Sequence, residues 1–205
     1  MQLIRNQQVV SSNLTTSSRK ARFLQSVLFA LLLLGVDMNT VIRKAENSDI
    51  DRLLELLGQV LEVHAKIRPD IFVPGSTKYT KAQLGEILSD PDTPVFVTAD
   101  GDGTVLGYAF CRVFMPRSAA VRQEKTLFID DLCVDEKCRG EKIGSALFEF
   151  VKEYAKKQGC PFVTLNVWEG NDAARAFYEK HGMSVRETQM EIRIDDKTGG
   201  KTEND

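Results

Sequence analysis

The sequence predicts a mixed α/β sheet with elements in the order β-α-α-β-β-β-α-β-α-β. Three observations predict it. Two β-branched runs, Val95–Ala99 and Val105–Phe114, flank Asp100-Gly-Asp-Gly103, a strong hairpin signal. Other segments repeat apolar residues at helical spacing. Between them an apolar run, Leu127–Val134, passes through a short, basic, glycine-bearing loop into a helical pattern.

In chain order, Thr40–Ala45 reads as a short strand. Ser48 then suits an N-cap, with Asp49 and Asp51 in the first helical turn. Ile50, Leu53, Leu54, Leu57, Val60, Leu61 and His64 follow on one helical face, where packing is the expected role of His64. Residues 68–76 read as a loop. A second helix is expected over Tyr79–Leu88, broken by Asp90-Pro-Asp-Thr-Pro94.

After the hairpin come a loop over 116–125 and the strand Leu127–Val134. Ile143–Gln158 is the next helix, closed by Gly159. Phe162–Val167 is a strand. Asn171 opens a helix closed by Gly182, and Met183–Ile194 is a last strand or strand pair. Beyond Asp195 the tail is polar and expected to be disordered.

The chain of 205 residues has room for one domain with a full core. Residues 1–37 carry Arg5, Arg19, Lys20 and Arg22 against Asp37. The remainder holds 23 basic and 28 acidic residues, a net charge of −5. A mildly acidic domain does not suit nucleic acid, and a cationic substrate fits it better. The four cysteines form no C-x-x-C, and neither His64 nor His181 lies near a cysteine pair. No metal is therefore expected. Cys111 and Cys133 sit in apolar runs and read as core residues of a protein kept in a reducing compartment, the cytoplasm.

Residues 1–37 are of another kind. A Gln-, Asn-, Ser- and Thr-rich stretch leads into the apolar run Val27–Val36, about half the ~20 residues that span a bilayer. Three readings stand: a targeting segment, a loosely attached helix, or translated upstream sequence with Met38 as the functional start. The last is preferred, with a domain over 38–195, a tail over 196–205 and no membrane attachment expected.

The strand–loop–helix at Leu127–Ala146 makes an anion site. Helix-leading N–H groups lack intrahelical acceptors, and Arg139 adds a fork of donors for phosphate. The loop is neither G-x-x-x-x-G-K-[ST] nor G-x-G-x-x-G. Its residues are Arg139-Gly-Glu-Lys-Ile-Gly144. Downstream stands Asn171-Asp-Ala-Ala-Arg-Ala-Phe-Tyr-Glu-Lys-His-Gly182. These two stretches, separated by one helix and one strand, resemble the [QR]-x-x-G-x-[GA] and N-x-x-A-x-x-F-Y-x-x-x-G motifs of the GNAT superfamily of N-acetyltransferases. The resemblance covers about residues 40–194. Lys142 departs from it, standing where the pattern has its middle glycine.

The resemblance implies a mainly antiparallel sheet flanked by helices and acetyl-CoA as co-substrate. It places Leu132, Cys133, Val134, Arg139, Gly140, Glu141, Lys142, Ile143, Gly144, Ser145, Asn171 and Tyr178 at the cofactor. Tyr178 holds the position of the family's general acid, which protonates the departing thiolate. Asn171 matches the contact to the pantetheine arm. Backbone N–H groups at Leu132–Val134 would stabilise the oxyanion of the attacked thioester.

A lysine-like amine in water titrates at about pH 10.4, so at pH 7 about one molecule in 2,500 is neutral and able to attack. A base must take its proton. Asp130 and Asp131 are the candidates for base or ammonium anchor, and strand alternation expects them on opposite faces. Glu136 is either a ligand or a solvated surface residue.

The expected function is thus transfer of acetyl from acetyl-CoA to a primary amine of a small molecule or peptide. The alternatives are an acyl-CoA sensor without turnover and, resting on Val27–Val36 alone, a membrane-tethered protein. A homodimer is left open.

Overall fold

The structure, a computed structural model, describes residues 40–194. The chain divides into two compact units between Asn171 and Asp172. The expectations for residues 1–37 and for the tail after Asp195 lie outside the described residues.

The first unit holds a five-stranded sheet in the order β1-β2-β3-β4-β5. Its strands are β1 (Val41–Lys44), β2 (Val95–Ala99), β3 (Val105–Phe114), β4 (Thr126–Val134) and β5 (Phe162–Leu165). The pairings β1–β2, β2–β3 and β3–β4 are antiparallel, and β5 runs parallel to β4. The hairpin joining β2 and β3 closes as its sequence expects. Asp100 Oδ1 accepts from the N–H groups of Asp102 (3.0 Å) and Thr104 (2.8 Å). Gly103 takes the left-handed φ of 85° that the turn requires.

Three helices complete this unit: α1 (Ile50–Ile67), α2 (Lys81–Ser89) and α3 (Ile143–Lys157). Leu53, Leu56 and Leu57 of α1 and Leu84 of α2 are buried with Val95, Val97, Tyr108, Phe110 and Cys133 in one core cluster. Alternate residues of the strands serve a second layer. Phe96 packs edge-on against Phe150 and Tyr154 of α3, at 5.0 and 4.8 Å between ring centroids. The period-2 alternation of the strands thus feeds both layers.

Two element starts differ from the sequence expectation. Ser48 does not cap α1. Asp49 is buried and pinned by Arg43 through two bonds of 2.7 and 2.9 Å, and it accepts the Glu46 N–H at 2.7 Å. That clamp winds Asn47–Asp49 into a 3-10 turn before the α-helix begins at Ile50. Tyr79 lies outside α2, because Thr80 caps that helix, its hydroxyl accepting the Gln83 N–H at 3.3 Å.

The second unit holds α4 (Asp172–Lys180), followed by Gly182 at φ 86°. The strand expected over Met183–Ile194 is not formed. Met190, Ile192 and Ile194 alternate as strand residues do, yet all three stand exposed. Alternation alone does not make a strand, since the ladder needs a partner's N–H and C=O groups.

Candidate active site

The site is built where β3 and β4 fall out of register. Phe110 pairs with Asp131, but Cys111 pairs with Ile129, so Asp130 has no partner on β3. This is a β-bulge, and a bulge re-aims side chains. The expectation that Asp130 and Asp131 face opposite ways is corrected by it. Both carboxylates reach the same ammonium: Lys78 Nζ lies 2.9 Å from Asp130 Oδ2 and 3.4 Å from Asp131 Oδ2.

The residues around this triad set its electrostatics. Asp130 is exposed, whereas the side chain of Asp131 is only 9% exposed. Burial pushes the Asp131 carboxyl above its ordinary pKa, and the Lys78 ammonium partly offsets that. Burial pulls Lys78 the other way, but Asp131 and Asp130 outweigh it and hold its ammonium above the usual range. The Tyr79 hydroxyl donates to Asp130 Oδ2 at 3.3 Å, and its ring lies 5.9 Å from that of Phe110. The Tyr108 hydroxyl is fully buried beside Asp131. Burial first, then the Asp131 charge, keeps that phenol protonated.

Beyond Lys78 stands an aromatic wall. His64 faces Phe72 at 5.1 Å, and Phe72 meets Trp168 edge-on at 5.2 Å. Burial and the Lys78 charge lower the His64 pKa, so its imidazole is neutral at pH 7. His64 packs on Phe72, as its helical face leads one to expect, within electrostatic reach of Lys78.

The expected cofactor residues follow on the same strand. β5 ends its pairing at Leu165 opposite Ile129, while β4 runs on to Val134. Along Asp130–Val134 the edge of β4 that faces away from β3 therefore carries no strand of the sheet. Its backbone groups suit an extended amide such as the pantetheine arm. At this edge Cys133 exposes no thiol. Its side chain is buried in the core, and burial pushes its thiol up to about 12.

Gly107 guards this end of β4. A Cβ there would stand 2.7 Å from the Cys133 carbonyl oxygen. Only glycine lets β3 come so close.

The loop after β4 is clamped from below. Asp135 is buried, accepts the Lys137 N–H at 3.0 Å and pairs with Arg52 of α1. Arg52 Nε also donates to the Val105 carbonyl at 3.1 Å, and Gln59 Oε1 accepts the Glu136 N–H at 3.1 Å. Glu136 itself is exposed. From there Arg139, Gly140, Glu141 and Lys142 run exposed into α3, whose first residues are Ile143, Gly144 and Ser145. Gly140 has φ 90° and Lys142 φ 63°. Lys142 is the only non-glycine residue with positive φ among the described residues, so it adopts the backbone that a glycine would favour.

Asn171 ends the first unit, its N–H bonded to the Trp168 carbonyl at 3.0 Å. Tyr178 lies on α4 in the second unit, half-buried, its ring 5.1 Å from Phe177.

Sequence reasoning missed Lys78, Tyr79, Tyr108 and the Arg52–Asp135 clamp. Lys78 and Tyr79 reach the aspartates, and Arg52 reaches Asp135, across 50 residues or more of chain, and no local pattern marks them. Among the described residues no cluster of three His, Cys, Asp or Glu could hold a metal ion. Nor is any described helix long and apolar enough to cross a membrane.

Comparison with known proteins points one way. A family model described as "Acetyltransferase (GNAT) family" matches residues 59–183. The chain is 31% identical over 150 residues to glucosamine 6-phosphate N-acetyltransferase of Arabidopsis thaliana, covering 73% of this chain and 93% of that one. It is 27% identical over 152 residues to thialysine N-epsilon-acetyltransferase of Bos taurus, covering 69% and 82%. Among solved structures, a mutant of the BH1408 protein from Bacillus halodurans matches with a TM-score of 0.71 and 32% identity, covering 75% and 99%. The Arabidopsis thaliana glucosamine-6-phosphate N-acetyltransferase structure matches with a TM-score of 0.57 and 29% identity, covering 76% and 99%.

Proposed function

Because the chain belongs to the GNAT family of acetyltransferases, we propose that it transfers the acetyl group of acetyl-CoA to a primary amine of a small molecule or peptide by direct attack. One observation carries the amine assignment. Two carboxylates on the β4 bulge converge on a single ammonium, Lys78 Nζ. An acceptor's ammonium takes that seat in place of Lys78.

Asp131 is the base. Its raised pKa brings it nearer to the amine it must deprotonate, and it stands one residue before Leu132–Val134. Backbone N–H groups of that open edge stabilise the oxyanion that forms on attack. Arg139 and the leading N–H groups of α3 hold the phosphates. Asn171 and Tyr178 take their roles from the motif they share with the family: contact to the pantetheine arm, and protonation of the thiolate.

Acetyl-CoA thus serves as co-substrate, and we place the reaction in the cytoplasm, in a domain spanning residues 38–195. The test is CoA release from acetyl-CoA across a panel of primary amines. Turnover of at least one amine, lost in Asp131→Asn, is expected. Acetyl-CoA binding with no release across the panel would overturn this function and leave an acyl-CoA sensor.

A further inference from the structure

Lys78 is the residue that the proposed chemistry leaves over. It sits on an exposed stretch between α1 and α2, yet its Nζ is held by both carboxylates of the β4 bulge. Its ammonium also lies 5.4 Å from the centre of the Tyr79 ring. This is the environment just assigned to the acceptor: two carboxylates, an aromatic face, and the start of the open β4 edge. The chain's own amine occupies the acceptor's seat.

We propose that Lys78 is a site of self-acetylation, modified in cis by the active site in which it sits. The inference rests on the acetyltransferase function proposed above. Asp131 takes a proton from the Lys78 ammonium. The neutral Nζ attacks the thioester carbonyl carbon of acetyl-CoA. The N–C bond forms and the C–S bond breaks. The attacking nitrogen gives its second proton to the departing CoA thiolate, and Asp131 releases the first to solvent. The products are Nε-acetyl-Lys78 and free CoA.

Three other lysines among the described residues show a different setting. Lys81 bonds Asp51 alone and keeps 69% of its side chain exposed. Lys152 and Lys156 pair with glutamates one turn away on α3. None of the three is bridged between two carboxylates. Acetylation would also remove the charge that ties Lys78 to Asp130 and Asp131. The carboxylate pair is then left for an incoming amine.

The experiment incubates the full chain with acetyl-CoA and no acceptor, then maps acetylated peptides by mass spectrometry over time. Lys78 should gain one acetyl group at least tenfold faster than Lys81, which reports uncatalysed modification. Asp131→Asn should remove most of that advantage without changing the rate at Lys81. Lys78→Arg keeps the cation and should take no acetyl group on that peptide. Millimolar n-butylamine, a simple competing cation, should slow labelling at Lys78 alone.

Equal rates at Lys78 and Lys81, or an undiminished rate at Lys78 in folded Asp131→Asn, would overturn the proposal. Amine turnover in the CoA-release panel with Lys78 unmodified would sink self-acetylation and leave the acetyltransferase function standing. Failure of that function would show separately, as absence of CoA release with every amine.

Discussion

Lys78 Nζ lies 3.4 Å from Asp131 Oδ2, a contact made across 53 residues of chain. It joins a loop between two helices to a bulged strand in the sheet. It also partly offsets the rise that burial imposes on the pKa of the carboxylate on which the proposed chemistry turns.

Asp131 must be ionised to accept a proton, and burial raises its pKa. The acidic limb of kcat/KM should therefore lie above the ordinary carboxylate value of about 3.9, with activity falling as pH drops through it. Asp131→Asn should flatten that limb and lower kcat/KM by about 10²–10⁴. An unchanged pH profile in the variant would remove Asp131 from the chemistry.

Lys142 offers a test of the loop. At φ 63° it holds a left-handed backbone that costs an L-residue roughly 1–2 kcal/mol. Lys142→Gly should relieve about 1 kcal/mol of that strain. The melting temperature should rise by about 2–4 °C. Calorimetry checks this. Titration of CoA at two salt concentrations separates the lost charge from the relieved backbone, since only the charge is screened. A lower melting temperature would show that the lysine side chain holds the loop.

Acid should loosen the clamp under that loop. The Lys137 N–H first, with Arg52 and Gln59 helping, depresses the folded pKa of Asp135. A depressed carboxyl contributes stability that is present above its unfolded value of about 3.9 and is lost as pH falls through the folded one. Arg52→Ala should cost roughly 1.5–3 kcal/mol at pH 7, and the deficit should shrink below about pH 4. Urea unfolding at pH 7 and pH 3 measures both. A deficit that stays constant with pH would mean that Arg52 acts through packing and its bond to the Val105 carbonyl rather than through Asp135.

Tyr178→Phe tests the assigned general acid. The ring and its neighbour Phe177 remain, so acetyl-CoA binding should hold. Turnover should fall by about 10²–10³ if the hydroxyl protonates the thiolate. Full activity across the pH range, with chemistry limiting, would make the tyrosine a packing residue.

Local residue patterns set most of the elements and both diagnostic stretches. β2 and β3 begin and end where their β-branched runs do, because alternation and the Asp100–Gly103 turn are local signals. α3 begins at Ile143 as its apolar spacing expects. Tertiary structure decided what those elements do together. The bulge at Asp130 arises from the register of β3 against β4, and no residue of β4 announces it. Without it, alternation puts the two aspartates on opposite faces; with it, they share one ammonium. The absence of a strand over Met183–Ile194 has the same cause in reverse. Its alternating residues met no partner ladder, and pairing is a property of two segments. Local chemistry selects helix, strand or turn, but long-range register decides which side chains meet.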